Sequence, residues 1–151
     1  MSQPAASLPT RTTGTARTAL PTEGIAARVT ARFPRARAVH AYGELTLHVE
    51  PGDLVELVTF CRDDEELDCR LLSDLSGVHW PAGDHVIERQ TSTTGWPEYR
   101  VSREVGMIEV LYVLRSVSRN HWFRVSVGTP DTDPRLPAAP GDAARRHPEA
   151  A

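Results

Sequence analysis

The stretch Leu45–Pro81 constrains this chain most. It reads LTLHVEPGDLVELVTFCRDDEELDCRLLSDLSGVHWP and carries the clearest start and stop signals in the sequence. Leu45, Leu47 and Val49 alternate as on a strand with one buried face. Pro51 suits the first position of a helix, and Asp53 lies in a first turn, where the helix dipole favours an acid. Leu54, Leu57, Val58 and Cys61 then recur at one helical face. The acids Asp63–Glu66 oppose the negative end of that helix and stop it near Arg62. A second strand is expected over Leu67–Asp74, broken at Ser76-Gly77.

The flanking pattern extends this unit. A short helix is expected over Glu23–Phe33, capped by Thr22, with an apolar stripe of Ile25, Val29 and Phe33. Gly43-Glu44 separates two strand-like runs and predicts a hairpin in which Tyr42 faces Leu45 and His40 faces Leu47. Residues 82–105 form a polar insertion, within which His85–Arg89 and Tyr99–Arg103 can pair. Met107–Val117 alternates Ile108, Val110, Tyr112 and Leu114 against Glu109 and Arg115. A turn at Ser118–His121, with Asn120 left-handed, leads to a return strand at Trp122–Val127. The order α, β-β, α, β, β-β predicts an α+β two-layer sandwich, mostly antiparallel, with two helices on one face.

Of the 151 residues, 40% are hydrophobic and 25% charged, enough for one ordinary core. The ends are different. Residues 1–22 and 129–151 are rich in Ala, Pro, Thr and Ser, and are expected to be disordered tails around a domain at 23–128. Arg11 and Arg17 among many hydroxyl residues resemble a targeting segment, but Pro4, Pro9 and Pro21 oppose the amphipathic helix it needs. No apolar run reaches the length of a membrane span. The net charge of −3 with interleaved signs gives no basic stripe, so no nucleic-acid partner is expected.

The chemistry-bearing residues do not converge in sequence. The expected hairpin sets His40 and His48 on opposite sheet faces, which prevents a shared metal ion. Cys61 falls on an apolar helix face, where burial makes a thiol inert. Asp74 and His79 have a spacing that allows an acid–base pair beside Trp80. Asp63–Glu66 lacks the alternating ligands and central glycine of a calcium loop, and reads as a solvated helix end. Catalytic, cofactor and metal residues are therefore all expected to be none. What remains is a partner surface: Asp74, His79, Trp80, Glu109, Trp122 and Arg124, with a plain amphipathic sheet face as the alternative.

The same residues, taken in order, resemble a family. Leu45–Val49, the helix ending Cys61–Asp64, the segment Leu72–Pro81 and the strand Tyr112–Ser116 with its return at Trp122–Val127 carry the likeness. They are similar to the 30 kDa subunit, also known as the C subunit, of the proton-pumping NADH:quinone oxidoreductase. The resemblance covers about residues 36–137. That family continues with Trp-x-x-Glu-Arg-Glu, Asp-x-Phe-Gly and Gly-His-Pro segments that do not occur here, so a shortened or divergent paralogue is expected. The resemblance implies a scaffold subunit of the peripheral arm, without a cofactor of its own. It would pack against the quinone-site and iron–sulfur subunits on the cytoplasmic side of the membrane, touching the membrane only through the complex. A free-standing interaction module and a subunit of a related membrane-bound hydrogenase are the alternatives.

Overall fold

A computed structural model describes residues 17–87 and 99–138. The elements in chain order are α1 (Thr22–Arg32), β1 (Arg37–Ala41), β2 (Glu44–Val49), a 3-10 turn (Pro51–Asp53), α2 (Leu54–Asp63), β3 (Leu71–Trp80), β4 (Gly83–Ile87), β5 (Tyr99–Arg103), β6 (Met107–Ser116) and β7 (His121–Pro130). Five strands form one sheet in the order β1-β2-β7-β6-β3, and β4 pairs with β5 separately. All neighbours are antiparallel except β2 and β7, which run parallel at the centre.

One sheet face holds the core. Leu45, Leu47 and Val49 of β2, Phe123, Val125 and Val127 of β7, and Tyr112 and Leu114 of β6 share a cluster with Ile25, Val29 and Phe33, and with Leu54, Leu57, Val58 and Cys61. Both predicted helical stripes therefore face the sheet, as the α+β sandwich requires. Phe33 and Phe60 meet edge to face at 5.8 Å between the end of α1 and α2. Three ion pairs join the same two segments: Arg28–Asp64 at 2.7 Å, Arg32–Glu56 at 3.0 Å and Arg35–Asp53 at 2.6 Å. Residue numbers rise along one side as they fall along the other, so the helices lie antiparallel.

Several local expectations change. Pro21, not Thr22, occupies the N-cap of α1, and no side chain caps it. The Thr22 hydroxyl instead donates to Glu23 Oε2. The first hairpin turns at Tyr42-Gly43, with φ of 54° and 77°, and its register pairs His40 with Leu45 and Ala41 with Glu44. Two successive positive φ values match the twist of the flanking strands, the usual reason two-residue hairpins need glycine. Tyr42, expected on the buried face, is therefore a turn residue and 96% exposed. The shift in pairing is by two residues, so the parity of the strands survives. His40 and His48 do lie on opposite faces.

The largest change concerns the strand after α2. Residues 67–70 are not a strand: Asp68 is left-handed (φ 44°), and Leu67 and Cys69 plug the core from a loop. The Cys69 N–H donates to Cys61 O, which fixes that loop on the end of α2. The strand starts at Leu71 and runs through Ser76-Gly77 to Trp80. Gly77 does not break it because β6 supplies a long antiparallel ladder from Leu71 to Trp80. The pairing of β4 with β5 agrees with the hairpin expected inside the insertion, although Glu88 and Arg89 lie outside the described residues. Among the described residues no helix is long and apolar enough to cross a membrane.

Candidate partner-binding face

Among the described residues, no helix covers the second face of the sheet. Its rows follow from strand parity: Asp74, Ser76, Val78 and Trp80 on β3, then Glu109, Leu111, Val113 and Arg115 on β6. Beyond them come Trp122, Arg124 and Ser126 on β7, and Thr46 and His48 on β2. A shallow groove of about 440 Å³ crosses it, lined by Ser73, Asp74, Ser76, Leu111, Val113, Arg115, Trp122 and Arg124. Arg124 lies over the Trp122 ring at 5.8 Å and pairs with Glu44. A bulge at Ser73, whose hydroxyl donates to Val113 O at 3.1 Å, shifts the register of β3 and sets Asp74 opposite Val113.

Beside the groove the same face is knitted by polar contacts. Trp80 Nε1–H donates to Glu109 Oε2 at 2.9 Å, and the Ser126 hydroxyl donates to Glu109 Oε1 at 2.5 Å. The Arg103 guanidinium stacks on Trp80 at 4.9 Å, which ties the β4–β5 hairpin to the sheet. Its Nε is buried without a hydrogen-bond partner among the described residues. His48 is held below the ordinary histidine range, first by burial and then by Arg37, against the opposing pull of Glu109.

Five of the six residues expected at a partner surface thus share one face: Asp74, Trp80, Glu109, Trp122 and Arg124. His79 does not. It pairs with Ile108, on the helix side, and its Nε2 lies 3.1 Å from Asp131 Oδ2. Asp74 pairs with Val113, so the sheet separates the two residues and the acid–base pair does not form. The cause is the extended strand through Gly77: five residues of pleat replace the loop that was to fold them together.

Both thiols are buried, Cys61 on the apolar face of α2 as its spacing predicts and Cys69 in the loop that follows. Burial pushes Cys61 well up, and pushes Cys69 up to about 12. Asp64 departs from the expected solvated helix end. Burial alone would raise its carboxyl, but Arg28 and the backbone N–H groups of Leu67 and Glu66 outweigh that and hold it below the ordinary range. Among the described residues, no three His, Cys, Asp or Glu side chains stand together as a metal site.

Two functional-looking side chains escape a reading of the sequence. His121, assigned there to a turn, is buried and opens β7. Its Nδ1 accepts from the Leu20 N–H at 3.2 Å and its Nε2–H donates to Leu67 O at 2.8 Å, which sets the tautomer. Arg119 donates to Glu65 O, Glu66 Oε1 and Thr18 O. Parity is the signal that finds His121, since it lies two residues before Phe123. Both residues clamp the N-terminal segment and the loop after α2, and neither reaches the groove.

The chain is thus a protein of the α+β sandwich class whose second sheet face carries a shallow groove lined by Trp122 and Arg124, with Trp80 and Arg103 stacked beside it. Residues 47–140 narrow that class: they match the family model of the respiratory-chain NADH dehydrogenase 30 Kd subunit, and the chain belongs to that family. It is 38% identical over 96 residues to the NADH-quinone oxidoreductase C subunit of Acidothermus cellulolyticus, covering 64% of this chain and 40% of that one. It is 33% identical over 96 residues to the Streptomyces coelicolor C subunit, covering 64% of this chain and 30% of that protein. A 42-residue segment, 28% of this chain and 21% of the relative, is 50% identical to the Mesorhizobium japonicum C subunit. The chain spans 30–40% of the length of the relatives it matches over 96 residues.

Proposed function

We propose that this chain is a non-catalytic scaffold subunit of an NADH:quinone oxidoreductase. It packs its open sheet face against the quinone-site and iron–sulfur subunits of the peripheral arm. It sits on the cytoplasmic side of the membrane and reaches the membrane through that assembly. One observation carries the reading: the family match runs from within β2 past the end of β7 and takes in β3, β6 and β7, which line the groove on the helix-free face. The face supports it. Aromatic residues and arginine are favoured where interfaces bury, and Trp80, Trp122, Arg103 and Arg124 stand there over a shallow apolar floor of Leu111 and Val113. Asp74, Trp80, Glu109, Trp122 and Arg124 are the proposed contacts, with His79 and Asp131 at the rim.

We also propose 23–128 as the main part of the unit that performs this role, between the segments 1–22 and 129–151; α1 begins one residue earlier, at Thr22, and β7 runs on to Pro130. Leu20 and Leu136 pack partly against its core from just outside.

The test is a pull-down of the tagged chain from its own membranes in mild detergent, read by mass spectrometry. Recovery of quinone-site and iron–sulfur subunits is expected. Recovery of hydrogenase subunits instead assigns the chain to a related complex. Recovery of the chain alone marks a free-standing module and overturns the assembly.

A further inference from the structure

We propose that the free edge of β3 accepts an extended strand from a partner subunit, which extends the main sheet by one strand. This rests on the scaffold reading above and names how the contact is made. β3 pairs with β6 on one side only, and no strand among the described residues occupies its other edge. Its outer backbone N–H and C=O groups therefore have no ladder partner there. Edge strands are normally guarded by shortness, charged side chains, Pro, or a bulge that twists the edge away. β3 has ten residues, no Pro and a single acid, Asp74. Its bulge lies near one end and leaves Asp74–Trp80 in unbroken register with β6. The opposite edge, β1, is only five residues long and packs against α1.

The side chains state what kind of strand fits. On the helix side, Leu72 and Leu75 are 44% and 55% exposed, because the helices stop short of β3. Gly77, on the same side and paired with Val110, leaves open space where a side chain would stand: a Cβ there would meet nothing within 4 Å. A large apolar or aromatic side chain from a neighbouring strand covers an edge glycine of this kind. On the groove side, Asp74 stands alone as the acid of β3, and a cation directly opposite it is favoured. The occupant is thus an extended segment with large apolar residues at alternate positions and a Lys or Arg on its other face. Main-chain hydrogen bonds supply the affinity and the alternate side chains the register.

The test places a benzophenone side chain at Leu75, on the edge, or at Trp122, in the groove, of the full chain, and irradiates the assembled complex. Expected is a Leu75 cross-link to an alternately apolar segment of one partner subunit, with a Trp122 cross-link to the same assembly. Amide exchange at alternate positions of 74–80 should slow on the order of tenfold on assembly. The Leu75→Lys variant, exposed and so able to fold, should lose that protection. A Trp122 cross-link without a Leu75 cross-link, or with exchange at 74–80 unchanged, overturns strand addition and leaves the scaffold reading standing. A Leu75 cross-link to a second copy of this chain overturns the hetero-partner. Absence of both cross-links overturns the scaffold reading and strand addition together.

Discussion

The two ends of the sheet are built on opposite rules. Under the helices, β2 and β7 bury Leu45, Leu47, Phe123 and Val125 to 1% exposure or less. At the other end, β3 carries Leu71, Leu72 and Leu75 yet is exposed from Leu71 to Gly77. Both regions place large aliphatic residues on strands. They differ because α1 and α2 are short and pack over the β1, β2 and β7 end, leaving β3 to solvent on both faces. Apolar residues without a roof mark an unfinished surface rather than a failed core, since contiguous exposed apolar patches on soluble domains are often functional. Stability belongs to the roofed end, and the contacts proposed above belong to the bare one.

This contrast can be broken by substitution. Phe123→Ala should cost about 3–5 kcal/mol, because Phe123 is fully buried at the centre of the roofed half. Equilibrium urea unfolding measures it, and a cost below about 1 kcal/mol would mean that the core is elsewhere. His121→Ala should cost about 1–3 kcal/mol by leaving Leu67 O and the Leu20 N–H without their partner. The same unfolding curves report it, and the Leu20 amide should exchange faster with solvent.

Acid should act on the roofed half first. Asp64 is held below the ordinary carboxylate range in the folded chain, with Arg28 at 2.7 Å. Its unfolded form therefore takes up a proton first as pH falls. The stability it contributes is present above about pH 4 and is lost as pH drops through the folded value. Asp68, lowered by Ser118 and then by Arg70, adds in the same direction. Unfolding midpoints measured from neutral pH downward should fall in this window, and Asp64→Asn should flatten the slope. The smallest effect is expected on the bare half. Leu75→Lys should leave stability within about 0.5 kcal/mol of the parent, since the side chain is already 55% exposed. A larger loss would show that β3 supports the fold and would blur the division.

Much of this is legible because it depends on period and parity. The stripes of α1 and α2 follow from their spacing, as do the inward faces of β6 and β7 and the hairpin inside the insertion. The first hairpin turns one residue earlier than Gly43-Glu44 suggests, yet the two-residue shift in pairing keeps the strand residues on their expected faces. Five of the six partner-surface residues fall together for the same reason. His79 falls away because Ser76-Gly77, a loop signal locally, sits opposite Leu111 and Val110 of a strand that imposes its own length. His121 escapes notice because turn propensity competes there with parity, and in the folded chain parity wins.

The sequence by itself determined the helical stripes, the bounds of α1 to within about a residue, the inward faces of β2, β6 and β7, and the family to which the chain belongs. Only the tertiary structure decided which apolar residues are covered. Periodicity fixes the direction a side chain takes from its own backbone, but burial depends on what lies opposite. Here the reach of two short helices ends before β3, and that distance is set by packing between segments far apart in the chain.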